Sequence, residues 1–210
     1  MSLGPSPKAG TTIRFRPDPT IFPLIAFEPA VIAERLQTLA WLTPRLAISW
    51  QGDRLIGTRG LAGLAEHLCV GLCEAQLALR CVAEPAAEIH SPDAVAVDVA
   101  LAWRGDGEPI VRGFVDMTVT PKGTHVDGMW AGLTALASRI AEAPLAADRV
   151  HARLAPGLVA IVRVTLPEPH FAGSTKAKLD SASAGEAVER ALASADISLP
   201  VRRFLLSRLM

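Results

Sequence analysis

Hydrophobic and polar positions along this chain follow two periods, and the switches between them mark out its elements. Ile32, Leu36 and Leu39 recur at helical spacing within Pro29 to Ala40, which puts them on one helix face. Leu46, Ile48 and Trp50 then alternate, and Gln51-Gly52-Asp53 turns the chain into a second short strand near Arg54 to Gly57. Before them, Thr11 to Arg16 reads as a short strand closed by Pro17-Asp18-Pro19. Leu61, Leu64, Leu68, Leu72, Ala75 and Leu79 return at steps of three and four, which predicts one long helix.

The second half keeps the same contrast. Val95, Val97, Val99, Leu101 and Trp103 alternate without a break, as in a half-buried strand. Gly105-Asp106-Gly107 predicts a hairpin turn, with Ile110 to Thr120 as the returning partner. A helix follows His125, with Leu133, Leu136 and Ile140 inward, and Leu158 to Leu166 is another strand. Glu186 to Ala195 is helical, Pro200 interrupts, and Val201 to Met210 resumes with Phe204, Leu205 and Leu209. Hairpins in an antiparallel-rich mixed sheet, with helices on one side, define an α+β class. There is no internal repeat; only the Pro/Gly-rich first ten residues are of low complexity.

Composition narrows the function classes. With 210 residues, half of them hydrophobic, the chain can bury the core of one large domain. Lysine plus arginine (21) balance aspartate plus glutamate (21), so nucleic-acid contact must come from a local patch. Arg202, Arg203 and Arg208 form one, with no acid between Val201 and Met210; it is either a basic helix end meeting its dipole or a contact to the DNA backbone. The most apolar long stretch, Leu61 to Ala83, is broken by Glu66, Glu74 and Arg80, so no membrane span is expected. The first ten residues lack a signal-type apolar run, and the cytoplasm is the default location. Cys69, Cys73 and Cys81 are too few and too poorly spaced for a disulfide framework or a metal site, and read as buried thiols.

Three segments are candidates for chemistry. Gly57-Thr58-Arg59-Gly60-Leu61-Ala62-Gly63 has glycines before a helix but neither a Walker lysine nor a Rossmann context, and reads as a closely packed turn. In Gly123-Thr124-His125-Val126-Asp127-Gly128, no nucleophile accompanies His125, and Thr124 is a candidate helix cap. Pro167 to Leu179 follows an apolar strand and offers Gly173, the hydroxyls of Ser174 and Thr175, and the lysines Lys176 and Lys178. A lysine in such a loop is either simply solvated or presented to a phosphate as a point charge.

Taken in order, these blocks resemble the B subunit of DNA gyrase and topoisomerase IV, the type IIA topoisomerases. Gly10-Thr11-Thr12-Ile13-Arg14-Phe15-Arg16-Pro17-Asp18 looks like the last strand of that family's GHKL ATPase domain. Gly60-Leu61 through His67-Leu68 resembles its Gly-Gly-Ile/Leu helix start, and Val97 to Trp103 with Phe114-Val115-Asp116 its central strands. Gly123-Thr124-His125 with Gly128 matches its Gly-Gly-Thr-His segment. Pro167 to Leu179 matches its Pro-Asp-Pro-x-Phe-x-x-Gln-Thr-Lys-x-Lys-Leu loop. The last two blocks are specific and the others supportive.

The resemblance implies that residues 1–19 end an ATPase domain. Residues 20–210 would then be the transducer domain, with a left-handed β-α-β crossover and a long C-terminal helix. It implies coupling of ATP binding and hydrolysis to DNA strand passage, with Lys176, flanked by Thr175 and Ser174, reaching the γ-phosphate. ATP with Mg would be held by the GHKL domain alone, and no catalytic or metal-binding residue is expected in this chain. The implied partners are the ATPase and TOPRIM domains, the A subunit, DNA and a second copy in a homodimer. Two positions depart from the pattern: Ser174 stands for the loop glutamine, and Lys122 for the first glycine of Gly-Gly-Thr-His. No GHKL or TOPRIM motif is found. The chain is therefore expected to be either a portion of a larger subunit or a truncated relative acting as a non-catalytic interaction module. A GHMP-type kinase would need a glycine-rich phosphate loop that this sequence lacks.

Overall fold

The computed structural model describes residues 10–69, 73–83, 94–105 and 107–210. The expectations at Leu72, at Asp106, for the first nine residues and for the Cys81 side chain lie outside the described residues. The elements are α1 (Pro29–Leu42), β1 (Ile48–Trp50), β2 (Asp53–Leu55), α2 (Gly60–Leu68), β3 (Ala75–Ala83), β4 (Val95–Trp103), β5 (Ile110–Val115) and β6 (Thr118–Val119). They continue with β7 (Lys122–Gly123), α3 (Thr124–Ala141), α4 (Ala147–Leu154), β8 (Leu158–Thr165), β9 (Lys178–Leu179), α5 (Ala182–Ala193) and α6 (Leu199–Leu209).

Five strands form the main sheet in the order β3-β4-β8-β5-β6. β4 runs antiparallel to both β3 and β8, and β5 runs parallel to β8. The class is the expected α+β mixed sheet, but the expected hairpin from β4 into β5 is not formed, because β8 lies between them. Leu158, Val159, Ala160, Ile161 and Val162 are buried without interruption, the pattern of a strand covered on both faces. The hairpin here is β5–β6.

One sheet face carries Val95, Val97, Val99, Leu101 and Trp103 of β4 beside Leu158, Ala160, Val162 and Val164 of β8. It packs on α3 to α6 through Met129, Leu133, Leu136, Leu154, Val188 and Leu205. Each such side chain contributes roughly 1.5–3 kcal/mol by leaving water. Trp103 Nε1 donates to the Leu154 carbonyl at 2.8 Å, so the buried indole is satisfied. The expectation of helices on one side describes this layer. On the second face, α1 and α2 place Leu42, Leu64 and Ala65 against Ala100, Ala102, Phe114, Val159 and Ile161. That second cover is why β4 stops alternating and is buried throughout from Val99 to Trp103.

α3 and α5 lie in backbone contact, since a Cβ on Gly128 would overlap the Gly185 carbonyl. Arg139 donates to the carbonyls of Ala193 and Ala195, closing the C-terminal end of α5.

Other expectations need correction. The long helix ends at Leu68, and Ala75–Ala83 pairs with β4 from Ala75↔Trp103 to Ala83↔Val95. Nine cross-strand pairs outweigh a helical period that was also compatible with alternation. Thr11 to Arg16 forms no strand; Ile13 and Phe15 are exposed, and among the described residues no neighbouring strand completes a ladder. Pro200 does not interrupt a helix but sits in the first turn of α6, where a missing N–H leaves no bond unmade. The turn at Gln51 (φ 51°) and Gly52 (φ 95°) joins β1 to β2 as the sequence predicts.

Candidate functional site

The segment after β8 folds into a hairpin over residues 170–180. Phe171 bridges Leu179 antiparallel, Ala172 N donates to Lys178 O at 3.0 Å, and Asp180 N donates to His170 O at 2.8 Å. At the tip, Lys176 N donates to Gly173 O at 3.1 Å, and Lys176 takes a left-handed conformation with φ 55°.

The base of the hairpin is fixed from three directions. β9 pairs in parallel with β7, Lys122 opposite Lys178 and Gly123 opposite Leu179. Leu179 is fully buried and joins the main core. Ser181 Oγ accepts from His170 N at 2.9 Å. Gly123 is required here: its φ is 115°, and a Cβ would overlap the Leu179 backbone.

Ser174, Thr175, Lys176 and Lys178 are all exposed. The Lys176 ammonium lies 5.6 Å from the centre of the Phe171 ring, a contact of about 0.5–1 kcal/mol at an exposed site. Among the described residues, no ion pair involves a lysine. The tip therefore presents one point charge and two hydroxyls outward. These groups fit phosphate oxygens approaching from outside the chain. They do not enclose a base or a sugar. Among the described residues no cluster of His, Cys, Asp and Glu could hold a metal ion.

The C-terminal arginines differ from the hairpin lysines. Arg208 pairs with Glu74 at 3.0 Å, donates to the carbonyls of Gly105 and Pro156 at 2.9 and 3.1 Å, and lies 5.2 Å from the Phe204 ring. It belongs to the fold. Arg202 reaches Glu142 at 3.4 Å, and Arg203 is exposed.

The remaining candidates are structural. His125 is buried; its Nε2 donates to the Thr120 carbonyl at 3.0 Å, and Nδ1 has no partner. Burial pushes its pKa below the usual histidine value. Thr124 is no cap: Gly123 holds the N-cap position, and Thr124 Oγ1 donates to Ser181 O at 2.7 Å, tying the starts of α3 and α5 together. Cys69 is buried, and desolvation raises its thiol to about 11, whereas Cys73 is exposed, against expectation. Gly57 packs against the Ala40 carbonyl and accepts from Gly60 N, the closely packed turn expected. Sequence reasoning gave no site role to Phe171, Leu179 or Gly123, because a strand pair of two residues leaves no period to read.

A mixed sheet with a parallel β5–α3–α4–β8 connection and a lysine-tipped hairpin fits a transducer domain, and the likeness to solved structures agrees. Over 99% of this chain and 70% of the other, it superposes on the B subunit of DNA gyrase from Myxococcus xanthus with a TM-score of 0.77 and 27% identity. The 43K ATPase domain of Thermus thermophilus gyrase B, in complex with an aminocoumarin, shares the fold with a TM-score of 0.70 at 22% identity, over 92% of this chain and 55% of that one. The family model for DNA gyrase B matches residues 69–195, and the chain belongs to that family. The DNA gyrase B protein of Campylobacter jejuni is 32% identical over 85% of this chain and 24% of its own length. That of Archaeoglobus fulgidus is 30% identical over 90% of this chain and 30% of its own. The chain thus spans roughly a quarter to a third of these relatives. Among the described residues no helix is long and apolar enough to cross a membrane.

Proposed function

We propose that this chain is the transducer part of a type IIA topoisomerase B subunit, coupling ATP binding and hydrolysis in a GHKL domain to DNA strand passage. The observation that carries this reading is Lys176: exposed, held at the tip of an anchored hairpin, and in no ion pair among the described residues. A terminal phosphate is present with ATP and absent with ADP. A lysine that meets it in one state only can bias two orientations of the domains. The hairpin base is bonded to the residues that begin α3, and α3 packs on the main sheet. A displacement of the tip therefore passes to a rigid body rather than dissipating in a loop.

The entry segment supports the same reading. Ile13, Phe15, Ile21, Phe22, Leu24 and Phe27 are all exposed, a density of apolar side chains suited to cover by a neighbouring domain. That neighbour is the ATPase domain, which holds ATP and Mg; this chain contributes Lys176, Thr175 and Ser174. The TOPRIM domain, the A subunit and DNA complete the assembly, in the cytoplasm. For a DNA phosphate, Arg203 is available and Arg202 after release from Glu142, while Arg208 is committed elsewhere.

The test mixes this chain with a cognate ATPase domain and measures ATP hydrolysis with and without Lys176→Ala. Loss of a charge-assisted contact predicts a rate lower by about tenfold or more. An unchanged rate overturns the role given to Lys176.

A further inference from the structure

The chain reverses direction where α2 gives way to β3, and a cysteine stands on each shoulder of that turn. Cys69 takes the C-cap position of α2, with its N–H bonded back to the carbonyls of Ala65 and Glu66 at 3.0 Å. Cys73 stands just before β3, and its Sγ donates to the Ala75 carbonyl at 3.3 Å. The reversal is tied down on its far side: Gln76 Nε2 donates to the Ala62 carbonyl of α2 at 2.8 Å, and Glu74 N to the Trp103 carbonyl of β4 at 2.7 Å. Both cysteines are thus attached to fixed elements, and the Cys73 thiol comes within hydrogen-bonding reach of Cys69. The joining residues 70–72 and the Cys81 side chain lie outside the described residues.

The two thiols differ in access. Cys69 is 3% exposed and packs in the second core with Leu64, Ala65 and Ala102. Cys73 is exposed. Burial, with Cys73 beside it, pushes the Cys69 thiol up to about 11, so at neutral pH it is protonated and a poor first nucleophile. A reagent in solution therefore meets Cys73 first, and Cys69 meets only a sulfur already attached to Cys73. An exposed thiol in contact with a buried one is the arrangement of an attacking and a resolving cysteine. Among the described residues, no third His, Cys, Asp or Glu joins the pair to hold a metal ion.

We propose that Cys69 and Cys73 are a redox-responsive dithiol, closed to an intramolecular disulfide by exchange with a low-molecular-weight disulfide. The Cys73 thiolate attacks one sulfur of that reagent, forming a mixed disulfide and releasing one small thiolate. Cys69 then gives its proton to water and attacks the Cys73 sulfur, expelling the second small thiolate. Each released thiolate takes up a proton from solution. The two protein thiols lose two electrons in all, and the reagent is reduced to two small thiols. The bridge joins the end of α2 to the entry of β3 and fastens the cover that Leu64 and Ala65 lay over the second sheet face. An excess of small thiol reverses the exchange, which suits the transient disulfides of a reducing compartment. Lys176 has no part in this site.

The experiment treats the folded 210-residue chain with glutathione disulfide, quenches with acid, alkylates the remaining thiols in denaturant and reads tryptic peptides by mass. Cleavage after Arg59 and Arg80 leaves Cys69 and Cys73 together in peptide 60–80, with Cys81 in the next one. The expected product is peptide 60–80 without alkylation and lighter by two hydrogen atoms, returned to the alkylated form by prior treatment with dithiothreitol. Cys69→Ala should stop at the glutathione adduct of Cys73. Cys73→Ser, a change at an exposed position that leaves the core intact, should keep Cys69 reduced and slow its modification about tenfold or more. The dithiol is overturned if the wild type accumulates glutathione adducts without the bridge, or if the bridge joins peptide 60–80 to Cys81. It is overturned equally if Cys73→Ser reacts in this peptide as fast as the wild type.

Discussion

The hairpin at Lys176 and the end of α6 carry the same kind of charge and use it in opposite ways. Arg208 is bound by a carboxylate, two carbonyls and an aromatic ring, and its side chain is only 20% exposed. Lys176 is exposed, lies beside one ring and holds a strained backbone. Arginine, with a planar fork of donors, suits the first task; lysine, a compact charge on a flexible stem, suits the second. Cationic side chains that have satisfied their donors internally hold the fold, and those kept unsatisfied at a rigid tip are available to a ligand.

Removing the seat of the hairpin gives the strongest test. Gly123→Ala places a side chain at φ 115° against the Leu179 backbone. It should cost roughly 3 kcal/mol or more from strain and overlap, measured by urea unfolding. Near-native stability would show that the β7/β9 base yields, and the contrast between a rigid tip and a rigid helix end would weaken.

The direct comparison comes next. Arg208→Ala removes the contacts to Glu74, Gly105 and Pro156, and should destabilise by about 1–2 kcal/mol once the solvent-facing part of the ion pair is discounted. Lys176→Ala should change stability by less than about 0.5 kcal/mol. Reversal of that order in equilibrium unfolding breaks the comparison.

A smaller effect comes from beneath the hairpin, where His125 follows Gly123-Thr124. Its folded pKa is lowered by burial, so the folded state favours the neutral ring. Stability is therefore full above the unfolded value of about 6.5. It falls as pH drops below that value, because the unfolded chain takes up the proton first. The slope approaches about 1.4 kcal/mol per pH unit until the folded pKa is reached. Unfolding free energies at pH 8 and pH 5.5 should differ in the wild type, and His125→Gln should lose that part of the difference.

Elements built by local pattern were legible in the sequence. The alternation of β4, the helical face of α3 and the Gln51-Gly52 turn stand where the residues put them. Elements whose identity depends on a distant partner were not. Ala75 and Leu79 suit a helix face by spacing, yet Ala75, Leu77 and Leu79 also alternate, and only pairing with β4 decides between them. The glycine turn at Gly105 marks a reversal but not its partner, and the uninterrupted burial of β8 marks the central strand. The lysine loop was legible through a family resemblance. Its anchoring was not, because Leu179, Gly123 and Phe171 act through contacts that no period encodes.

The finest test separates strain from support at the tip itself. Lys176→Gly relieves the left-handed backbone at φ 55°, but glycine also enlarges the freedom of the unfolded chain. The loss of the Phe171 contact opposes the relief as well. The balance predicts a change of no more than about 0.5 kcal/mol, with the sign toward stabilisation. Mixed with a cognate ATPase domain, the same variant should slow ATP hydrolysis as Lys176→Ala does, since the ammonium is gone. A protein that becomes no less stable while losing the ligand response identifies the strain as one kept for recognition. Should Lys176→Gly instead lose more than about 1 kcal/mol, the lysine would be supporting the fold as Arg208 does. The distinction between the two regions would then rest on exposure alone.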